Sequence, residues 1–172
     1  MIESVNIFDL NTAQVVTGGY DHTFTTWITA ADPTHQSQAG IITSRLAKRN
    51  IPHHIRYFLD QDDTAPMADF DGPTPQDIKY YIDIFSKLHK DTQQHRVAIN
   101  CSAGISRSTA LGIIAWMIAG FDPEIALDKI LKVRRYAWPN TRILRLYDQI
   151  TGANSYKIIS TWKKAKSGEL LV

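Results

Sequence analysis

A single cysteine, Cys101, is followed six positions later by Arg107. The residues between them are small apart from one isoleucine: Ser102, Ala103, Gly104, Ile105 and Ser106. A loop of such residues can turn its backbone N–H groups inward and form an anion-binding concavity. Gly104 permits a backbone conformation that other residues resist, and the planar guanidinium of Arg107 matches two oxygens of a phosphate group. The segment therefore predicts a phosphate-binding loop.

The same loop decides what chemistry Cys101 can do. Converging N–H groups and a neighbouring arginine favour a thiolate over a thiol. A thiolate beside a phosphate site is suited to attack on phosphorus, while the arginine and the N–H groups hold the equatorial oxygens in the transition state. A lone cysteine is also common as a buried structural thiol, but its position beside this loop favours the catalytic interpretation.

The elements around the loop indicate an α/β fold. The segment RVAIN before Cys101 is typical of a buried strand, and the apolar run SRSTALGIIAWMIAG after it predicts a core helix. Further strands are predicted in VNIFDL, QVVTGG, FTTWITAADP and residues 55–59, with helices in HQSQAGIITSRLAKRN, TPQDIKYYIDIFSKLHK, DPEIALDKILKVRRY and TRILRLYDQI. Alternating strands and helices predict a mostly parallel central sheet flanked by helices. Ligands bind beyond the carboxyl ends of such strands, where Asn100 and Cys101 fall.

The bulk properties limit the class of protein. The length of 172 residues indicates one domain, residues 1–172, in which residues 155–172 could be a loosely attached tail. The formal charge of +2 does not call for a nucleic-acid partner. One cysteine can form neither an intramolecular disulfide nor a zinc cluster, and the paired histidines at 53 and 54 lack companion ligands. We therefore expect no metal, no cofactor, no membrane association and a cytoplasmic location.

The spacing Cys-x5-Arg followed by Ser108 resembles the signature of the protein tyrosine phosphatase superfamily, in particular its dual-specificity and compact bacterial branches. At average composition, a glycine, an arginine and a hydroxyl residue fall at these three offsets from a cysteine in roughly one case in a thousand. The segments RYFLDQDDT and VRRYAWPNTRILRLYDQI resemble the acid loop before the signature and the Pro-Asn segment after it. The similarity is strongest over residues 55–150.

The resemblance implies roles for further residues. The proton donor to the leaving group is expected on the loop of residues 60–71, with Asp63 favoured, Asp62 second and Asp69 third. Ser108 is expected to assist hydrolysis of the thiophosphate. Asn140 resembles an asparagine that supports the phosphate loop; the alternative is an ordinary turn residue or the N-cap of the following helix.

One residue departs from the family pattern. The family usually has a histidine immediately before the nucleophile, and this chain has Asn100. An asparagine can donate hydrogen bonds but carries no charge. We therefore expect Asn100 to support the thiolate less strongly than a histidine would.

These features predict a metal-free phosphomonoester hydrolase of the protein tyrosine phosphatase or dual-specificity type, with a phosphorylated protein as the default substrate. Phosphoinositides and RNA 5′ phosphates are alternative substrates, because the depth of the pocket determines which phosphate ester can bind. A phosphate-dependent binding module with a degraded site is the alternative outside enzymes. A sulfurtransferase is disfavoured by the arginine six residues after the cysteine.

Overall fold

The computed structural model describes residues 1–19, 23–62 and 71–169. In these ranges the strands are β1 (Ile2–Phe8), β2 (Thr26–Ala31), β3 (His53–Tyr57) and β4 (His95–Asn100). The α-helices are α1 (Leu10–Gly18), α2 (Gln36–Ala47), α3 (Pro75–Lys90), α4 (Arg107–Ile118), α5 (Pro123–Val133), α6 (Thr141–Thr151) and α7 (Ser155–Glu169). A short 3-10 helix, Pro33–His35, precedes α2.

The strands form a parallel sheet in the order β1-β4-β2-β3. β4 lies between β1 and β2, and Asn100 at its end pairs in register with Phe8 on one side and Thr29 on the other. The predicted α/β fold with a parallel central sheet is confirmed. Because all four strands run the same way, their carboxyl ends lie at one edge of the sheet, with Cys101 directly after the central strand.

Helices cover both faces of the sheet. On one face the strands pack against α3, α4, α5 and α6 in a large apolar core. α4 lies at the centre of this layer, since its residues from Arg107 to Trp116 are all buried. On the other face a smaller cluster joins Trp27 of β2 to Leu10 of α1 and to Ile42 and Leu46 of α2. Burial of each large aliphatic side chain contributes about 1.5–3 kcal/mol, so α4 and β4 are held firmly in place.

The segment QVVTGG is helical, and the strand predicted there is wrong. Asp9 begins α1 as its N-cap, because its carboxylate accepts a hydrogen bond from the Thr12 N–H at 2.8 Å. The β-branched residues Val15, Val16 and Thr17 favour a strand by propensity alone. The N-cap and the packing of Leu10 and of the helix against α2 outweigh that weak preference.

The beginning of α3 agrees with the pattern in the sequence. Thr74 and Asp77 form a reciprocal capping box, and Pro75 occupies the first helical turn. Such a box satisfies two backbone donors that have no partner within the helix. α3 thus has a fixed start, and its apolar side packs Ile78, Tyr81 and Phe85 into the core.

Residues 155–169 form α7, which packs against α5 and α6. Ser155 and Ile159 of this helix are buried. Across the described residues, every helix is too short or too polar to span a lipid bilayer.

Candidate active site

Cys101 lies between β4 and α4, at the bottom of the loop of residues 101–107. Its side chain is only 1% exposed. The Sγ atom lies 3.2 Å from the Oγ atom of Ser108, a buried residue in the first turn of α4. The sulfur therefore faces the N-terminus of α4, where the helix dipole and free N–H groups favour a negative charge.

The carbonyl groups of the loop point outward. Arg134, which follows α5, donates from Nη2 to the Ala103 oxygen at 2.8 Å and from Nε to the Gly104 oxygen at 3.0 Å. The Ile105 oxygen accepts from the Trp138 N–H at 2.9 Å. In a trans peptide the N–H of the next residue points opposite to the carbonyl. The N–H groups that follow these carbonyls therefore face the inside of the loop, as an anion site requires.

Gly104 allows the loop to pack against the end of β1. Its φ angle is +67°, in the left-handed region that favours glycine. A Cβ atom there would lie 2.7 Å from the Asp9 nitrogen and 2.8 Å from the Phe8 carbonyl group. Nearby, the Leu10 N–H donates to the Ser102 oxygen at 3.1 Å. The shape of the loop thus depends on the junction between β1 and α1.

The Arg107 guanidinium is buried and held from several sides. Nη1 donates to the Phe58 carbonyl oxygen at 2.7 Å, and Nη2 donates to Asp32 at 2.7 Å and to the Ser102 hydroxyl at 3.0 Å. Nε lies 3.7 Å from the Asp60 carboxylate. A buried arginine needs such partners because an unpaired buried charge is costly. They fix the plane of the guanidinium against the loop.

Asp32 is a carboxylate at this site that the sequence analysis did not single out. It accepts hydrogen bonds from Arg107 and from the Ser102 hydroxyl. The Nδ1 atom of His35 lies 3.1 Å from the same hydroxyl and 3.5 Å from the Asp32 carboxylate. Burial acts to raise the pKa of Asp32, but the hydrogen bonds from Ser102 and Arg107 and the charge of Arg107 hold this pKa below its usual value. Asp32 is therefore ionised beside the loop of residues 101–107 at neutral pH.

Asp60 and Asn140 support the loop from the opposite side. Asp60 accepts from the Ser106 hydroxyl at 2.7 Å and from the Asn140 amide at 2.9 Å. The buried Asn140 also caps α6, since its Oδ1 accepts from the Ile143 N–H at 3.0 Å. Its backbone N–H donates to the Ser106 oxygen at 3.2 Å. Both roles considered for Asn140 are thus compatible with its contacts.

Asn100, the residue before Cys101, is fully buried. Its Oδ1 accepts from the Trp27 indole at 2.8 Å and from the Thr29 hydroxyl at 2.7 Å. The Nδ2 atom has no hydrogen-bond partner among the residues that the structure describes. Thr29 also contacts the Nε2 atom of His53 at 2.8 Å, so a chain of polar groups leads from Asn100 to β3.

The candidates for the proton donor divide into two groups. Asp63 and Asp69 lie outside the described residues. Asp62 accepts from the Thr141 N–H at 2.8 Å and the Arg142 N–H at 3.3 Å, and it pairs with Lys163 at 2.7 Å. Asp62 therefore accepts hydrogen bonds from backbone N–H groups in the first turn of α6 and stabilises the start of that helix.

Three aspartates share a topological position that a sequence reading could have used. Asp9 comes directly after β1, Asp32 directly after β2, and Asp60 shortly after β3. Because the carboxyl ends of parallel strands meet at one edge of the sheet, all three lie near the loop that follows β4. Asp32 and Asp60 contact Arg107, and Asp9 pairs with Arg134 at 3.7 Å. The signal was therefore an acidic residue after each of the three strands β1, β2 and β3.

No protein-family model and no curated protein sequence matches the chain. Its fold is similar to that of Tk-PTP in the active form, with a TM-score of 0.54 and 14% identity, covering 85% of this chain and 90% of that one. It is also similar to human DUSP28, with a TM-score of 0.58 and 12% identity, covering 86% of this chain and 87% of that one. A point variant of the same human protein gives a TM-score of 0.54 at 13% identity, covering 85% and 88%. The resemblance expected from the sequence is confirmed at the level of fold: the chain has the fold of the protein tyrosine and dual-specificity phosphatases.

Proposed function

We propose that this chain is a cysteine-dependent phosphomonoesterase that works through a cysteinyl-phosphate intermediate. The default substrate is a phosphotyrosine, or another phosphorylated residue, of a protein. The observation that carries the proposal is the contact of 3.2 Å between Cys101 Sγ and Ser108 Oγ, inside a loop that ends at the buried Arg107. A thiol at a helix N-terminus beside an arginine is suited to react as a thiolate.

The reaction has two steps. In the first, the Cys101 thiolate attacks phosphorus, an S–P bond forms, and the ester P–O bond breaks as the leaving oxygen takes a proton from an acid. In the second, water attacks phosphorus, the S–P bond breaks, and the same acid, now ionised, accepts the proton of the water. Phosphate leaves, and the thiolate and the protonated acid are restored.

The loop and Arg107 bind the phosphoryl group in both steps. The loop N–H groups from residue 102 to residue 107 and the guanidinium stabilise the equatorial oxygens while charge shifts between the attacking and leaving atoms. The outward hydrogen bonds of the carbonyls of Ala103, Gly104 and Ile105 support this assignment, because they leave the N–H groups directed inward. The Ser108 hydroxyl stabilises the sulfur as it leaves phosphorus in the second step.

We assign the proton donor to Asp63, because the segment Asp-Asp-Thr after β3 resembles the acid position of this family. Asn100 and Asn140 act as supporting residues behind and beside the loop. Residues 1–172 form one phosphatase domain, an assignment that the burial of Ile159 in α7 supports. A thiolate nucleophile must stay reduced, which supports a cytoplasmic location.

A binding module with a degraded site is the second candidate. Two observations support it: Asn100 stands where the family usually has a histidine, and the Asp32 carboxylate already accepts a hydrogen bond from Arg107. Phosphoinositides and RNA 5′ phosphates are the alternative substrates.

The test is hydrolysis of p-nitrophenyl phosphate in the presence of EDTA. We expect turnover by the wild type, none by Cys101→Ser, and a loss of at least 100-fold in Arg107→Lys, since lysine lacks the bidentate geometry. Asp63→Asn should slow alkyl phosphates far more than p-nitrophenyl phosphate, whose leaving group needs no proton; Asp71→Asn is the matched control. Binding of a phosphopeptide without EDTA-resistant turnover would favour the binding module.

A further inference from the structure

A surface groove begins beside the phosphate loop, between the end of α5 and α7. It has a volume of about 590 Å³, and its lining includes Leu131, Arg135, Tyr136, Trp138, Trp162 and Lys166. Trp138 connects the groove to the loop, because its N–H donates to the oxygen of Ile105 at 2.9 Å. Ile105 is itself 37% exposed. The loop and the groove are therefore neighbours, and a substrate that leaves the loop past the exposed Ile105 side chain would reach the groove.

The groove combines aromatic surface with positive charge. Tyr136 is 77% exposed, and the rings of Trp138 and Trp162 lie 5.7 Å apart at an angle of 50°. Arg135 and Lys166 are both exposed, and no acidic residue is among the described residues that line this part. Exposed aromatic side chains are favoured where another molecule binds, and the charges select for acidic groups.

The groove continues along α5 and α7 with the opposite charge. Trp162 also lines an adjoining section of about 490 Å³, which carries Glu124 and Asp128 together with one cation, Lys157. At 1.5 Å per residue, Glu124 and Leu131 lie about 10 Å apart along α5. An extended peptide covers that distance in about three residues. The surface is thus positive near the phosphate loop and negative a few peptide residues further away.

From this charge order we infer that the groove binds an extended segment of the phosphorylated protein substrate, acidic beside the phosphorylated residue and basic about three to five residues away. The inference rests on the proposed function and adds to it a sequence preference. A nucleic acid fits less well, because its phosphates would continue into the section that holds Glu124 and Asp128. A peptide can change the sign of its charge along its length.

The preference can be measured with phosphotyrosyl peptides of equal length and composition. One series has acidic residues next to the phosphotyrosine and basic residues further out, and the other has the two groups exchanged. Each is made on the N-terminal and on the C-terminal side, since the direction of the bound peptide is open. We expect kcat/KM to favour the first series by about tenfold in one of the two directions, as several weak surface ion pairs would give together. This preference should shrink in 0.5 M salt.

Charge reversal tests whether the groove causes the preference. The double variant Arg135→Glu with Lys166→Glu should abolish or reverse it, while kcat/KM for p-nitrophenyl phosphate stays within about twofold. The double variant Lys132→Glu with Lys164→Glu is the matched control, because these exposed lysines lie on α5 and α7 outside the groove lining and change the net charge equally. It should keep the preference.

The outcomes separate the two proposals. Hydrolysis of p-nitrophenyl phosphate with equal kcat/KM for both peptide series would overturn the proposed peptide binding in the groove. It would not affect the proposed phosphatase function. Faster turnover of a 5′-phosphorylated RNA than of any peptide would overturn the peptide assignment. If p-nitrophenyl phosphate is not hydrolysed, the proposed function fails. The affinity of the Cys101→Ser variant for the two peptide series then tests the groove, and equal affinities would overturn the proposed peptide binding.

Discussion

The Arg107 Nη2 atom lies 2.7 Å from the Asp32 Oδ2 atom, which joins the residue after β2 to the first residue of α4. With Asp60 near Nε, the guanidinium stands between two carboxylates. The two carboxylates belong to residues far away in the sequence, Asp32 after β2 and Asp60 after β3. The orientation of the Arg107 guanidinium therefore depends on the ends of other strands as well as on its own loop.

Replacing Asp32 should reduce both stability and activity. In Asp32→Asn, Arg107 loses a charged partner, and we expect the free energy of unfolding at pH 7 to fall by about 2 kcal/mol. We expect kcat/KM for p-nitrophenyl phosphate to fall by about tenfold or more, since the guanidinium is less well oriented. Urea unfolding and steady-state kinetics measure the two effects, with substitution of the exposed α5 residue Asp128 (Asp128→Asn) as the control.

The stability difference should depend on pH in a defined direction. The pKa of Asp32 is lower in the folded chain than its ordinary value of 3.8, so its carboxylate stabilises the fold above about pH 4. That contribution is lost as the pH falls through the lower, folded value. Wild type and Asp32→Asn should therefore converge in stability as the pH falls below about 4. A difference that stays constant as the pH falls further would contradict the role of the ionised carboxylate.

Ser108 should matter most in the second chemical step. Its hydroxyl lies 3.2 Å from the Cys101 sulfur, which would leave phosphorus in the second step of the proposed reaction. In Ser108→Ala we expect the cysteinyl phosphate to accumulate and kcat to fall on the order of 10- to 100-fold. Rapid mixing with p-nitrophenyl phosphate should then show a burst of one p-nitrophenol per enzyme, and Ser108→Thr should restore part of kcat. An unchanged kcat without a burst would remove Ser108 from the mechanism.

The sequence predicted the elements around the candidate site correctly. The spacing of Cys101 and Arg107, the buried strand before them and the core helix after them are all encoded within about twenty neighbouring residues, and the loop and helix form where the pattern predicts. Asp32 was not predicted as a site residue because its contact with Arg107 joins residues 75 positions apart in the sequence. Such contacts follow from the strand order, which the pattern of single segments does not specify.

The error at α1 has a different physical origin. The β-branched residues Val15 and Val16 favour a strand by intrinsic propensity. However, Asp9 caps a helix that begins two turns earlier, and the apolar side of that helix packs against α2. Capping and tertiary contacts outweighed an intrinsic preference that is worth only a fraction of a kcal/mol per residue.

His53 should make the fold sensitive to mild acid. Burial and the neighbouring His54 lower the pKa of His53 from 6.5 to about 4. The unfolded chain therefore binds a proton below pH 6.5 that the folded chain does not bind, and stability falls between pH 6.5 and about 4. At 1.36 kcal/mol per pH unit, we expect a loss of about 2 kcal/mol from pH 7.5 to 5.

The variant His53→Gln should flatten this decline. Urea unfolding at pH 5, 6 and 7.5 measures it, while above pH 7.5 the stabilities of variant and wild type should run parallel. A decline of equal slope in both proteins would assign the acid sensitivity to other groups, of which His54, whose pKa is also lowered by burial and by Lys87, is the first to examine.

Placing a histidine before Cys101 should favour its thiolate form. The Asn100 oxygen is taken by Trp27 and Thr29, and an amide carries no charge to offset that of the sulfur. In Asn100→His we expect alkylation of Cys101 by iodoacetamide to reach half its maximum rate at a lower pH than in the wild type. Asn100→Ser is the uncharged control, and identical profiles for wild type and Asn100→His would refute the argument.

The close packing of Gly104 on Asp9 also bears on the order in which the chain folds. These residues are 95 positions apart in the sequence, so the loop reaches its packed form only through a long-range contact with the end of β1. Contacts of such long range form slowly, after the local helices. Catalytic competence should therefore emerge in the last kinetic phase of refolding, behind the recovery of helical circular dichroism.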